Sequence, residues 1–386
     1  MRPIAVLRRL RYAPVIEGLP PKSERVLDLY IPTDRVPASV VRRIAARDPS
    51  TLTTWPIAVA TPPAEQDAAV AEPGAGAGAA ESPRAPPLIA LTHGGSWFVG
   101  DNSQRNMREA SKCFARMGYV VASVNYRLCT VDYRQLETLL LGVAVVSVMG
   151  FMCSSSAVHR VIWLLLALFF TVHLLMAEIV GAAHQVQHPM PARDVAAAVG
   201  WLHTHAPRVG ADTTRMVLVG HSAGGHLVLH VATHGTLLAE AGVPLEHVAG
   251  VVGISGVYSA KLCAEWSALR LICSSVFGAD SRLWRYYFPA ENAFAHPRPS
   301  ALPPVLLETA HYDFSLLKHA VEMRRTLRRL GVPVRLENVR GATHFSIVTH
   351  WTAHHHPVLL RLCAFIEDVV ARPMRESYFP TCGRAR

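Results

Sequence analysis

The residues Gly220-His221-Ser222-Ala223-Gly224 set one hydroxyl among small neighbours in the spacing G-x-S-x-G. A serine hydroxyl is a weak nucleophile at neutral pH, so chemistry at Ser222 requires a neighbouring base and a carboxylate that orients the base. The apolar run Met216-Val217-Leu218-Val219 precedes the motif and Leu227-Val228-Leu229 follows it. Strand, sharp turn and helix is the setting that holds such a serine exposed on a strained turn, and it separates the motif from a chance match in a glycine-containing loop.

The candidate base is His344, in Arg340-Gly341-Ala342-Thr343-His344-Phe345-Ser346, a loop close behind the apolar stretch Val332 to Leu336. It is one of 20 histidines, most of them ordinary packing or surface groups; His350 and the run His354-His355-His356 are rivals, and the triplet also fits metal binding. The candidate acid is Asp313, just beyond the apolar run Val305-Leu306-Leu307, at the strand end where open α/β sheets assemble their sites. Glu308 is the rival acid, but it falls within the strand itself. Acyl transfer also needs donors aimed at a developing oxyanion. Thr92-His93-Gly94-Gly95-Ser96-Trp97 can supply the N–H groups of Gly94 and Gly95, with the N–H of Ala223 completing the set. Trp97 and the segment from Val257 to Phe288, with Tyr258, Trp266, Leu269, Leu271, Ile272, Phe277 and Trp284, are candidate pocket walls; lid packing is their alternative role. Chemistry of this kind calls for no metal and no organic cofactor.

The elements that must position these residues alternate along the chain. Arg25 to Ile31 alternates as a strand closed by Pro32, Leu88 to Leu91 and Tyr119 to Val124 read as strands, and Met107, Ala110, Phe114 and Met117 recur at helical spacing between them. A helix over Ala192 to His205, the strand Met216 to Val219, a helix from Ala223, and a strand near Val248 to Ile254 follow. Val305 to Leu307, a helix after Ser315, Val332 to Leu336 and a helix near Leu359 to Val370 continue the order. This is the pattern of a doubly wound, mostly parallel sheet with helices on both faces. It divides the chain into an N-terminal segment 1–56 with the first strand, a flexible low-complexity loop 57–87, a catalytic domain 88–135 and 186–371, and a tail 372–386.

The remaining segment, 136–185, does not fit. Two apolar stretches, roughly Leu139 to Cys153 and Val161 to Ala177, flank a polar turn with Ser154, Ser155, Ser156, His159 and Arg160. About 17 to 20 apolar residues span a bilayer as a helix. The direct reading is an inserted apolar helical hairpin in the membrane; buried or lid helices are a second reading, bordered by His173 and Glu178. Tyr126-Arg127-Leu128 and His188 to Asp194 look like halves of one loop-to-helix joint, which makes a translated intron the third.

The 386 residues carry 38 Lys+Arg against 28 Asp+Glu, a formal net charge of +10. The basic residues are scattered, with one terminal group at Arg8, Arg9 and Arg11, so no nucleic-acid partner is expected. Seven cysteines, odd in number and without a CxxC pair, fit a reduced, cytosol-facing catalytic domain. The first residues show no signal-peptide run. The expected location is therefore a membrane, of the endoplasmic reticulum or Golgi, with a cytosolic catalytic face, or the cytoplasm if the insert is an artefact.

Taken together, His93-Gly94-Gly95-Ser96-Trp97 with Gly100-Asp101, Gly220-His221-Ser222-Ala223-Gly224-Gly225, Asp313 and His344 resemble the HGG-type serine esterase branch of the α/β-hydrolases over about residues 24 to 135 and 186 to 370. Within that branch the chain is similar to prenylcysteine methylesterase-like proteins and, more distantly, to arylformamidases. The resemblance implies an α/β-hydrolase fold, a Ser222-Asp313-His344 triad, and oxyanion donors at Gly94, Gly95 and Ala223. It implies as substrate a small-molecule or lipid-linked ester, an amide of the formamide type being the alternative. A non-catalytic ligand-binding member of the fold is the reading from another class.

Overall fold

A computed structural model of the chain describes residues 2–14, 21–45, 84–130, 161, 186–265, 267–349 and 356–372. Its strands are β1 (Ile4–Arg11), β2 (Val26–Pro32), β3 (Pro87–Thr92), β4 (Val120–Val124), β5 (Asp212–His221), β6 (Val248–Ile254), β7 (Val305–Tyr312) and β8 (Val334–Thr343). They form one sheet in the order β1-β2-β4-β3-β5-β6-β7-β8. β1, β2 and β4 pair antiparallel, and every pairing from β4 through β3 to β8 is parallel.

Successive side chains of a strand point to opposite faces, and a parallel sheet covered on both faces needs apolar residues at every position. That is why β3 from Leu88 to Leu91 and β5 from Met216 to Val219 read as unbroken apolar runs. Leu88, Ala90 and Leu218 join one core cluster with Val195, Val199 and Leu202 of the helix Met190–His205 and with Leu227 and Val231 of the helix Ala223–Thr233. Ile89, Leu91, Val217 and Val219 join the other, with Met107 and Phe114 of the helix Arg105–Arg116 and Leu362 and Phe365 of the helix Pro357–Ala371. The doubly wound fold expected from the sequence is present.

Four strands depart from the sequence reading. β1 was not anticipated: a register shift between Leu7 and Leu10 turns both leucines toward the core, so the apolar spacing is three and not two. Arg9, at φ 52°, occupies the bulge and donates its N–H to Asp28 Oδ1 at 2.9 Å. Strands β7 and β8 run past their apolar starts, pairing Glu308 with Glu337 and Thr309 with Asn338, because ladder bonds extend the strands where hydrophobicity gives no signal. β5 begins at Asp212, where Pro87 pairs with it, four residues ahead of the apolar run.

The hairpin expected over 136–185 lies outside the described residues, Val161 apart, as do the loop 57–87 up to residue 83 and the tail from 373. Among the described residues, no helix is long and apolar enough to cross a membrane. The two flanks of that segment do meet. Thr130 N–H donates to the Val186 carbonyl at 2.9 Å. Arg127 grips Asp194 through Nε to Oδ2 and Nη2 to Oδ1, both at 2.7 Å, and through its backbone N–H at 3.0 Å. The Asp194 side chain is 3% exposed. Removing one partner of such a buried pair strands the other charge, at a cost of about 3–5 kcal/mol, so this joint is a firm one.

Candidate active site

The elbow is built by strain. Ser222 sits between β5 and the helix Ala223–Thr233 at φ 53°, ψ −119°, a conformation that L-residues rarely adopt. Its N–H donates to the Ile254 carbonyl at 2.8 Å, and its own carbonyl accepts from His226 N–H at 3.1 Å. The turn is so tight that a Cβ on Gly220 would lie 2.2 Å from the Gly224 carbonyl oxygen, which explains the small residues on both sides of the serine.

Strand register brings the candidate acid and base together. Tyr312, the last residue of β7, pairs with Thr343, the last of β8, so Asp313 and His344 leave the sheet side by side. His344 N–H donates to the Tyr312 carbonyl at 3.1 Å. A carboxylate only accepts, so His344 Nδ1–H donates to Asp313 Oδ1, at 2.6 Å, and Nε2 faces Ser222 Oγ at 3.0 Å, where the hydroxyl can donate to it. The second carboxylate oxygen of Asp313 accepts from Ala310 N–H at 3.1 Å. Asp313 and His344 are both buried.

The turn after β3 approaches the elbow from the other side. A Cβ on Gly94 would lie 2.9 Å from the His221 carbonyl oxygen and 3.0 Å from Ser222 Cβ, so only glycine permits this approach. Gly95, Ser96 and Trp97 follow at φ 125°, 51° and 66°. Ala223 is the first residue of its helix, and its N–H has no intrahelical acceptor. Trp97 anchors the turn: it is buried, its ring edge-on to His226 at 5.2 Å and to Phe277 at 5.3 Å, and its carbonyl accepts from Cys129 N–H at 2.8 Å. His93 is buried against Tyr126, the rings stacked at 4.3 Å.

A cavity of about 450 Å³ opens over Ser222 and His344. Gly95, Ser96 and Trp97 line it on the turn side, Val257, Leu269 and Ile272 on the side of the helix Ser267–Phe277, and Phe314, Leu316 and Phe345 beside the base. Among the described residues lining it there is no Asp, Glu, Lys or Arg. Phe314 and Phe345 are 60% and 65% exposed, with their rings 5.5 and 5.3 Å from that of His344.

Of the residues singled out in the sequence, Ser222, Asp313, His344, Gly94, Gly95, Ala223 and Trp97 thus converge on one place. Val257, Leu269 and Ile272 reach the cavity, whereas Tyr258, Phe277 and Trp284 pack in the core. Trp266, the Leu271 side chain, His350, His354 and His355 lie outside the described set, and His356 immediately precedes the last helix. Sequence reasoning missed His221, Phe314, Leu316 and Phe345 as cavity residues. Phe345 adjoins the base and could have been flagged; the others depend on loop direction. The rival acid Glu308 is buried in β7, where its Oε1 accepts from Arg361 Nε at 2.8 Å.

The strand order, the elbow after β5 and the site at the carboxyl ends of the parallel strands are those of the α/β-hydrolase fold. A family profile described as alpha/beta hydrolase fold matches residues 171–347, and the BD-FAE profile matches 79–134. Esterase LipI of Mycobacterium tuberculosis (strain ATCC 25618 / H37Rv) is 26% identical over 166 residues, 41% of this chain and 51% of that protein, so the match spans about half of that relative's length. Esterase B from Lactobacillus Rhamnosis (HN001) superposes with a TM-score of 0.57 at 18% identity, over 95% of this chain and 86% of that one. A structure of Esterase B inhibited by a tributyrin phosphonate gives 0.57 at 17% identity, over the same 95% and 86%. The chain is an α/β hydrolase in fold.

Glu308 supplies a pH test of the site's surroundings. Burial raises its pKa to about 7 from the ordinary 4.5, against the lowering effect of Arg361. The folded state thus binds a proton more tightly than the unfolded chain, and this group's contribution to stability is full below about 4.5 and is lost as pH rises to about 7, by an amount on the order of 3 kcal/mol. The stability difference between the parent and Glu308→Gln, from urea midpoints measured from pH 4.5 to 8, should move against the parent across that window, since the other titrating groups are common to both. An unchanged difference would contradict the assignment.

Proposed function

We propose that the protein is a serine hydrolase of the carboxylesterase type that works through an acyl-enzyme on Ser222. One observation carries the reading: Ser222 Oγ, His344 Nε2, His344 Nδ1 and Asp313 Oδ1 form a continuous chain at 3.0 and 2.6 Å at the edge of an apolar cavity.

In the proposed cycle, Ser222 Oγ attacks the ester carbonyl while His344 Nε2 takes the hydroxyl proton. Asp313, already bonded to Nδ1, holds the ring orientation and stabilises the imidazolium. The N–H groups of Gly94, Gly95 and Ala223 face the oxyanion, a contribution of a few kcal/mol. The imidazolium then protonates the leaving alcohol. Water enters by the same route, gives its proton to His344, and releases the acid.

The cavity supports an uncharged, apolar ester, because a charged group seated there would lose hydration and find no counter-ion on the lining residues. A lipid-linked ester such as a prenylcysteine methyl ester keeps the scissile carbonyl beside apolar surface. The apolar sequence of 136–185 supports placing that substrate at a membrane, and the flanks of the segment, joined at Thr130 and Val186, adjoin the cavity wall, where Cys129 N–H donates to the Trp97 carbonyl. An arylformamidase-type amide hydrolase would use the same triad, but N-formylkynurenine carries an amino-acid head that this lining does not match.

Purified protein should hydrolyse short p-nitrophenyl esters and prefer prenylcysteine methyl ester to N-formylkynurenine. Ser222→Ala should abolish turnover, and Asp313→Asn should lower kcat by about 10³–10⁴-fold. Full turnover in Ser222→Ala would refute the mechanism. For the membrane, the full chain made in cells should pellet with membranes and resist alkaline carbonate; its release into the supernatant would refute a spanning segment.

A further inference from the structure

The geometry points to His221 as a positioning residue, one that holds His344 at the elbow through its backbone and so sets the distance across which the serine proton moves. This rests on the reading of Ser222 and His344 as nucleophile and base.

His221 Nε2 lies 3.0 Å from the His344 carbonyl oxygen. A carbonyl only accepts, so Nε2 carries the proton and donates it. The two imidazole rings lie 4.8 Å apart, tilted by 41°. Because a peptide bond joins His221 to Ser222, the contacts close a ring: Ser222 Oγ touches the His344 side chain, and the preceding residue's side chain touches the His344 backbone.

The need for such a link follows from the topology. The other anchors of His344, its N–H to the Tyr312 carbonyl and its Nδ1–H to Asp313, both tie it to the end of β7. Ser222 rides on β5, with β6 between the two strands. Apart from the Ser222–His344 contact itself, His221 provides a hydrogen bond from the β5 side to the base. That distinction matters in the second half of the cycle. Once Ser222 Oγ is acylated it no longer has a proton to donate to Nε2, yet His344 must stay in place to activate water. The His221 bond involves no reacting atom and persists through that stage.

His221 also abuts the third part of the site. A Cβ on Gly94 would lie 3.0 Å from His221 Nδ1, so the glycine turn packs on the same ring. Burial pushes the pKa of His221 down to about 3, which keeps it a neutral donor beside the imidazolium that His344 becomes. A small shift of a reacting group costs steeply, about 10²-fold for 1 Å, which gives the scale of the expected effect.

The test compares the parent chain, Ser222→Ala, His221→Phe and His221→Gln with p-nitrophenyl butyrate, with kcat expressed per site titrated by a p-nitrophenyl phosphonate. Phenylalanine keeps a ring without the donor, and the glutamine amide can donate to the same carbonyl. His221→Phe should lower kcat by about 10–100-fold with KM changed less than about threefold, and His221→Gln should recover to within about fivefold of the parent. A His221→Phe enzyme with full kcat per titrated site would overturn the inference, and so would a His221→Gln enzyme that falls as far as the phenylalanine variant. If His221→Phe does not fold, His221→Ala, which also lacks the donor, takes its place with the same limits. Turnover surviving in Ser222→Ala would instead reject the hydrolase reading beneath it.

Discussion

The structure depends on backbone strain held at one edge of the sheet. Of the seven non-glycine residues with positive φ among those described, six follow the carboxyl ends of parallel strands: Ser96 and Trp97 after β3, Ser222 after β5, Ser255 after β6, Phe314 and Ser315 after β7. Each such residue costs on the order of 1–3 kcal/mol and persists only where its surroundings over-determine it. Here the surroundings are a sheet buried on both faces by two apolar layers. Ser222 at φ 53° is held on its turn because β5 behind it and the helix after it are fixed in that core.

From that edge the rest of the site follows by adjacency. β3 lies beside β5 and delivers the glycine turn to the elbow, and the β7–β8 ladder delivers Asp313 and His344 together. The bonds that complete the site are short-range consequences of this order: Gly94 against Ser222, His344 against Tyr312 and Asp313, His221 against the His344 backbone. Buried Asp313 is satisfied by Ala310 N–H and the imidazole, so the carboxylate carries two partners out of water. Glu308, five residues earlier, is equally buried but faces Arg361 and not His344, so it is position at the strand end that places Asp313 beside the imidazole.

Much of this was legible in the sequence because doubly buried strands are written as continuous apolar runs. β3, β4 and β6 were placed to within a residue or two, and the glycine turns and the elbow fall directly behind such runs. β1 was hidden by its bulge, which changes the apolar period, and the outer halves of β7 and β8 by their polar composition. Ser222 could be named because its motif directly follows a readable apolar run, and Asp313 and His344 because their loops follow the apolar starts of β7 and β8. His221 could not: its contact with His344 spans 123 residues and depends on which way a side chain turns at the elbow. Phe314 and Leu316 likewise reach the cavity through the left-handed turn at Phe314 and Ser315, which the sequence does not announce.

The central claim is that Ser222 is the group that is acylated, in a cavity that favours uncharged esters. The most direct measurement is the mass of peptides from full-length protein treated with a p-nitrophenyl alkylphosphonate. One adduct per chain on the peptide containing Ser222, rising in step with the loss of esterase turnover, is the result predicted. An adduct on another residue that accounts for the lost turnover, or turnover that persists when Ser222 is fully modified, would contradict it.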